Sequence, residues 1–393
     1  MFKSLRFLVL LLAFSTAGCS KDSPDPVADI PESTQNDPLL DPPTNTQSFE
    51  EKLQAIIDSR VGPEKLLGVS LSIRVDGEER WSFISGYSDD STPINSAMRF
   101  GIASITKTMV AATIMALVED GHLTLDDPIG DYITLNNANI DESITIFQLL
   151  NHLAGLKGYF QHPDIWPRVE SDLLTPLAPI EIAAYIGEPL FDPGTQYQYS
   201  NSHYLILGLV IEAVSGKTVG EVMREKFWDF LGLSQIYFGV NETIEGPIAA
   251  PWRDNNGDGF LENISDQYGP AYHSIFYTAA DVFATASDLS NWAHLLFNAH
   301  ALSESSTEQM VTFLDLEDPI ANGYGLGVRR VLLAGRNMWG HTGGMRGYGS
   351  YMFYDPVSKV SIAMLNNQSR SENGPLYRYQ LVESVLSEVF KEL

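Results

Sequence analysis

Ser104 and Lys107 stand three residues apart in Ser104-Ile105-Thr106-Lys107, a spacing that one helical turn converts into adjacency on a single face. A serine hydroxyl is a poor nucleophile at neutral pH, and a lysine that has lost its proton is one of the few side chains able to activate it. No other serine in the chain has lysine at the third following position. Two further segments carry groups that can join such a pair. Tyr199-Ser200-Asn201 sets a phenol and a carboxamide on a loop after the Pro193-Gly194 turn, with a helix expected from about Ser202. His341-Thr342-Gly343-Gly344 falls between Trp339 and an expected strand, and its glycines permit close backbone approach to a ligand. Taken singly, each has a plain structural reading: Ser104 as a helix cap, Tyr199 and Asn201 as turn residues, His341 as a satisfied structural histidine.

The elements that must position these groups are legible in outline. Phe49, Leu53, Ile56 and Ile57 form one helical stripe. Gly68 to Val75 and Glu79 to Gly86 alternate apolar and polar about Asp76-Gly77, which predicts a hairpin. From Ser104 to Asp120 the chain is rich in Ala, Met and Val without Pro or Gly, which predicts a largely buried helix ending at Gly121. Helical patterns recur at 146–152, 179–186, 204–214 and 286–297. Two strands are expected at 348–354 and 359–365, joined by Asp355-Pro356, before an amphipathic helix at 381–393. The expected fold is therefore α/β: an antiparallel sheet built from N- and C-terminal segments, flanked by helices, with a mainly helical insertion over roughly 106–300. The folded domain is expected to span 49–393.

The 393 residues are 44% hydrophobic and 11% aromatic, enough for a large core. Twenty-four basic against 50 acidic residues give a formal charge of −26. That field, without a basic run, excludes nucleic acid as a partner.

The ordered set Ser104-Ile105-Thr106-Lys107, Tyr199-Ser200-Asn201 and His341-Thr342-Gly343-Gly344 resembles the penicillin-recognising serine hydrolases: class C β-lactamases, D-alanyl-D-alanine carboxypeptidases and related esterases. RFGIASITK, LVEDGHLTLDDPIGDYI, LLNHLAGL, GTQYQYSNSHYLILGLVIE, FLGL and GHTGG extend the likeness over roughly residues 50–392. The resemblance implies that Ser104 forms an acyl-enzyme, that Lys107 and Tyr199 share the proton work, and that the backbone N–H groups of Ser104 and Gly344 make the oxyanion hole. It implies further that Asn201 orients the substrate amide, and that His341, Thr342 and Gly343 meet the substrate on its carboxylate or leaving-group side.

Class C β-lactamases usually have lysine where this chain has His341, which turns the expectation towards a D-alanyl-D-alanine carboxypeptidase, ahead of a β-lactamase or an esterase. A non-catalytic lipoprotein that binds penicillin or peptidoglycan is the alternative of another class. Leu153-Ala154 stands where the family usually has Thr-Ser, and Asp281 where a glycine is expected. Arg346, just past the third motif, is a candidate carboxylate contact or a solvent-facing arginine.

Asp254, Asn256 and Asp258 have the spacing of a calcium loop, with Gly259 at the sixth position but Ser265 in place of the closing glutamate. A polar hairpin turn is the competing reading, and a structural Ca²⁺ is the one cofactor entertained. No His/Cys cluster suggests zinc.

Residues 1–18 have the layout of a secretory signal, and Thr16-Ala17-Gly18-Cys19 resembles a bacterial lipobox with Cys19, the sole cysteine, as the lipidated residue. Residues 19–48, rich in Pro, Asp, Ser and Thr, read as a disordered tether. Loss of residues 1–18 removes Lys3 and Arg6 and no acid, leaving 22 basic and 50 acidic residues and a charge of −28. So acidic a chain is repelled by anionic bilayers, and the lipid on Cys19 would have to supply membrane attachment, in the periplasm, at the outer membrane or on the cell surface. Cys19→Ala is expected to abolish incorporation of labelled palmitate and to move the protein from the detergent phase to the aqueous phase on partition; unchanged labelling would refute the anchor.

Overall fold

A computed structural model describes residues 47–62, 64–317, 321–369 and 374–393. The expected signal and nearly all of the expected tether lie outside the described residues, which belong to the compact unit Gln47–Leu393.

The first helix, α1 (Phe49–Asp58), starts at a capping box in which the Ser48 hydroxyl accepts from Glu51 N–H and the Glu51 carboxylate accepts from Ser48 N–H. Its buried Leu53 and Ile57 rest on a sheet. Strands β1 (Gly68–Val75) and β2 (Glu78–Gly86) form the expected hairpin, and β3 (Leu314–Asp315), β4 (Gly323–Tyr324), β5 (Arg329–Leu333), β6 (Arg336–Met345), β7 (Tyr348–Asp355) and β8 (Val360–Asn366) complete it in the order β2-β1-β8-β7-β6-β5-β4-β3. Every neighbouring pair is antiparallel. The N-terminal hairpin thus joins the C-terminal meander through β1 and β8, with Val69 opposite Asn366 and Val75 opposite Val360.

Both faces of this sheet are covered, so β8 is buried at every position. Side chains two apart share a face: Ile362 and Met364 join α1 and the C-terminal helix α6 (Gly374–Glu392), while Ala363 and Leu365 join the larger core on the other side. In that larger core lie α2 (Thr106–Glu119), α3 (Asn201–Ser215), α4 (Pro270–Ala280) and α5 (Ala286–Phe297). Helices outweigh strands among the regular elements between α2 and α5. This region also holds short strands at Ile236–Phe238 and Val282–Ala284; the second pairs with the first on one side and with Phe100–Gly101, just ahead of Ser104, on the other.

The sequence reading misses β3 to β6. Those strands are short, or carry adjacent arginines and several glycines, and they take strand form because long neighbours supply the hydrogen bonds. His341-Thr342-Gly343-Gly344 accordingly lies inside β6, and does not precede a strand as its sequence suggests.

The two helices that flank the site meet at Gly208. A Cβ there would stand 2.5 Å from the Tyr277 ring and 2.6 Å from the Thr278 side chain. Alanine is the better helix former by about 1 kcal/mol, but overpacking costs about 1–3 kcal/mol. Gly208→Ala should therefore destabilise the domain in a urea titration, and a stabilised variant would show that the α3–α4 approach is loose.

Candidate active site

Ser104 is the middle residue of a 3₁₀ turn, Ala103–Ile105, that runs directly into α2. Three residues per turn place positions i and i+3 over each other, and the Lys107 Nζ lies 3.1 Å from the Ser104 Oγ. Ala103 enters the turn at φ 51°, a left-handed backbone that a non-glycine residue holds only when its surroundings fix it. They do: Ser350 Oγ donates to Ile102 O at 2.7 Å, and Thr106 Oγ1 accepts from Val282 N–H at 3.2 Å. All but the last turn of α2 is buried, which makes it a fixed base for the serine.

Lys107 is completely buried. Its Nζ is 2.8 Å from Asn201 Oδ1 and 2.7 Å from the Ala279 carbonyl oxygen. Both are pure acceptors, so each takes an N–H. Asn201 is the first residue of α3, one step further into the helix than its sequence suggests, and Ser200 caps that helix. Ala279 belongs to the last turn of α4, where carbonyls lack intrahelical partners; the kink at Tyr277 (φ 33°, ψ −137°) precedes it. With two N–H groups spent, the third substituent position on Nζ faces Ser104: a lone pair if the amine is neutral, an N–H if it is charged. Burial pulls the Lys107 pKa below that of an ordinary lysine; Tyr199 opposes this and Arg329 reinforces it.

Tyr199 lies across the same groups, with Lys107 Nζ 5.1 Å from its ring centroid. Burial by itself would raise the phenol pKa, but the charges of Lys107 and then Arg329, with hydrogen bonds to Lys107 and Ser104, outweigh it and lower the pKa. Arg329, on β5, was not foreseen from the sequence, where nothing but a pair of adjacent arginines marks it. Its Cζ stands 5.0 Å from the Tyr199 ring centroid, and it forms no ion pair within 4.0 Å among the described residues.

On the opposite side, β6 runs past the serine turn. A Cβ on Gly343 would come within 2.2 Å of Ile102 O and 3.1 Å of Ala103 Cβ, so only glycine allows this approach. Gly344 is exposed and faces open space. Thr342 and Gly343, like Ser104, Tyr199 and Asn201, are partly exposed. Six of the predicted motif residues, Ser104, Tyr199, Asn201, Thr342, Gly343 and Gly344, thus reach the surface, and two, Lys107 and His341, do not. His341 is fully buried, and its ring nitrogens engage Thr342 O at 2.6 Å, Tyr324 Oη at 3.2 Å and Arg329 Nε at 3.4 Å. It is turned inward and does not face a substrate as expected.

Arg346 is neither a free carboxylate contact nor solvent-facing. It pairs with Glu170 at 3.3 Å and stacks on Trp166 at 4.3 Å. Asp281, in place of the expected glycine, is fully buried and bonded to His273 Nδ1 at 2.8 Å. The Asp254 carboxylate accepts from Gly257 and Gly259 N–H at 2.6 and 3.1 Å, and the flanking pairs Trp252–Arg253 and Glu262–Asn263 are hydrogen-bonded strands, so this segment is a hairpin tip held by its own bonds. No group of three potential metal-ligating side chains occurs among the described residues.

The Beta-lactamase family profile matches residues 53–386. The chain belongs to the Beta-lactamase family. It is 24% identical to the unguisins hydrolase ungD of Aspergillus violaceofuscus over 82% of this chain and 62% of that protein, so it spans about three fifths of that relative's length. It is 26% identical to penicillin-binding protein 4 of Amycolatopsis lactamdurans, over 76% of this chain and 80% of that one. Among solved structures it superposes on the D-amino acid amidase of Ochrobactrum anthropi SV3 with a TM-score of 0.77, 23% identity, and coverage of 88% of this chain and 99% of that one. The fold is that of the serine β-lactamases and transpeptidases, in a family of hydrolases.

Lys107→Met keeps the stem and removes the amine. It should leave the melting temperature unchanged or raised, because no buried amine remains, and slow acylation of Ser104 about 10²–10⁴-fold. Undiminished acylation would remove Lys107 from the chemistry.

Proposed function

We propose that the protein is an acyl-transfer hydrolase that uses Ser104 on peptides with a carboxylate end, in the manner of a D-alanyl-D-alanine carboxypeptidase. The observation that carries the reaction class is the Lys107 amine, buried without a carboxylate partner among the described residues and 3.1 Å from the Ser104 hydroxyl. The pair Lys107 and Tyr199 takes the Ser104 proton as Oγ bonds to the carbonyl carbon, and the carbonyl electrons move to oxygen. Ser104 and Gly344 N–H groups receive that oxyanion. Collapse breaks the C–N bond, the amine leaves with the proton, and water repeats the sequence to release the acid. Asn201, tied to Lys107 through Oδ1, offers its amide nitrogen to the substrate.

The substrate reading rests on Arg329. It is a partly exposed guanidinium without a carboxylate partner among the described residues of a strongly acidic chain, and it lies beside the nucleophile's proton acceptors. A substrate carboxylate would complete it. Buried His341 cannot play that part without leaving its partners. An amidase reading is favoured by the likeness to the D-amino acid amidase, whose substrates need no terminal carboxylate. In either case we place the enzyme in the cell envelope through a lipid on Cys19.

Incubation with a labelled penicillin followed by intact-mass measurement should give an adduct that maps to Ser104 and is absent from Ser104→Ala. No adduct, together with no turnover of D-alanyl-D-alanine peptides, D-amino acid amides or activated esters, would defeat the proposal. Arg329→Ala, assayed at the high-pH plateau, should raise KM for carboxylate-terminated peptides about 10-fold or more, as loss of a charged hydrogen bond does, and leave amides little changed. Equal effects on both would transfer the reading to an amidase.

A further inference from the structure

Behind Tyr199 lie four side chains that the reaction does not use directly: His203 of α3, His152 at the end of the helix Ile146–Leu150, Tyr324 of β4 and His341 of β6. All four are buried. His203 Nδ1 and His152 Nδ1 are 2.7 Å apart, His152 Nε2 and Tyr324 Oη 3.1 Å, and Tyr324 Oη and His341 Nε2 3.2 Å. Their direction follows from the two ends. Leu156 N–H donates to His203 Nε2 at 3.3 Å, so that nitrogen is the acceptor and His203 carries its proton on Nδ1. The Nδ1–H then donates to His152 Nδ1, which leaves the His152 proton on Nε2, pointed at Tyr324 Oη. At the other end His341 Nδ1 faces the Thr342 carbonyl oxygen at 2.6 Å and must carry the proton there. Its Nε2 is therefore a lone pair that accepts from Tyr324 O–H and from Arg329 Nε–H. Every proton is accounted for in one direction, with each ring neutral.

We infer that His203, His152 and Tyr324 are positioning residues, a one-way hydrogen-bond relay that holds His341 as the neutral Nδ1–H tautomer so that its Nε2 keeps Arg329 over Tyr199. The inference rests on the reading of Lys107 and Tyr199 as the proton-accepting pair. Arg329 lowers the pKa of both members of that pair, so its placement sets the pH at which Ser104 becomes reactive. A protonated His341 would repel the guanidinium and have no lone pair to offer it.

Two observations support a fixed relay beyond distance. His152 has φ 64°, a left-handed backbone that glycine adopts without cost, and a histidine stands there all the same. Its ring also packs on Tyr199 and Tyr324, with centroids 4.4 and 4.8 Å away. The groups that face the relay are Lys107 from α2, Tyr204 from α3, Tyr197 and Tyr199 from the loop before α3, and Arg329 from β5. Burial first, and then the basic groups Lys107 and Arg329, disfavour charging His152 and His341, and no carboxylate among the described residues pairs with either to favour it.

The test has two arms. In protein labelled with ¹⁵N-histidine, with His152→Gln used for assignment, long-range nitrogen–proton spectra should show His341 and His203 as Nδ1–H tautomers and His152 as Nε2–H, all untitrated between pH 5 and 8. An Nε2–H His341, or one that titrates in that window, would overturn the relay whatever the enzyme acts on. In the second arm, acylation by a penicillin is followed against pH. Tyr324→Phe removes one oxygen and breaks the relay, and should move the acid limb upward by about one unit, the low end of what one neighbouring charge imposes. His152→Leu, which also breaks the relay, should move the limb likewise, whereas His152→Gln, which retains an N–H donor, should leave it near the wild-type position. A uniform rate loss with an unmoved limb would reduce the relay to packing. Failure of Ser104 to acylate at all would instead defeat the functional reading and leave the spectra to decide the relay.

Discussion

The burial of the Lys107 amine among neutral oxygens is the constraint on which the site turns. An ammonium removed from water without a counter-ion is costly, and a protein tolerates it by shedding the proton or by arranging a compensating anion. Here the two acceptors, Asn201 Oδ1 and Ala279 O, satisfy a neutral amine and leave its remaining position for Ser104. Tyr199, whose phenol pKa burial would raise but the neighbouring Lys107 and Arg329 charges lower, is the group beside it best able to take a negative charge. The proton thus moves within a small closed set of groups, and the surrounding elements serve to keep that set dry and in register.

This requirement explains several local departures from ideal geometry. Ala103 holds a left-handed backbone so that the 3₁₀ turn can aim Ser104, and α4 is kinked at Tyr277 ahead of the Ala279 carbonyl that meets Lys107. Glycines appear where chain must approach chain: Gly343 against Ile102, and Gly208 against Tyr277 and Thr278. The sheet, buried on both faces, and the wholly buried first three turns of α2 hold these strained positions in place.

Electrostatics divide the chain sharply. Fifty acidic residues give the surface its charge, yet the interior of the site holds the Lys107 amine, the Arg329 guanidinium and four aromatic hydroxyls or imidazoles in a relay, with no carboxylate paired to either basic group among the described residues. Arg329 is the one group in that interior able to meet an anion from outside. His341 gains its meaning from this arrangement: a ring that reads in sequence as a substrate contact becomes, once folded, the acceptor that steadies the arginine.

Residue order and spacing alone marked Ser104 with its amine, the phenol and carboxamide, the glycine-bearing motif, and the hairpin and helices around them, because each depends on local periodicity or on a short motif. They also marked the family. What they could not determine was which side chains from distant segments share one small volume. Arg329, Tyr324 and His203 have no local signature, and the Ala279 carbonyl has no side-chain identity at all. Strands β3 to β6 escaped for the same reason, since their conformation comes from neighbours rather than from their own residues. The tertiary structure alone decided that Lys107 is dry and that His341 is turned inward, because burial and tautomer are properties of the surroundings and not of the residue.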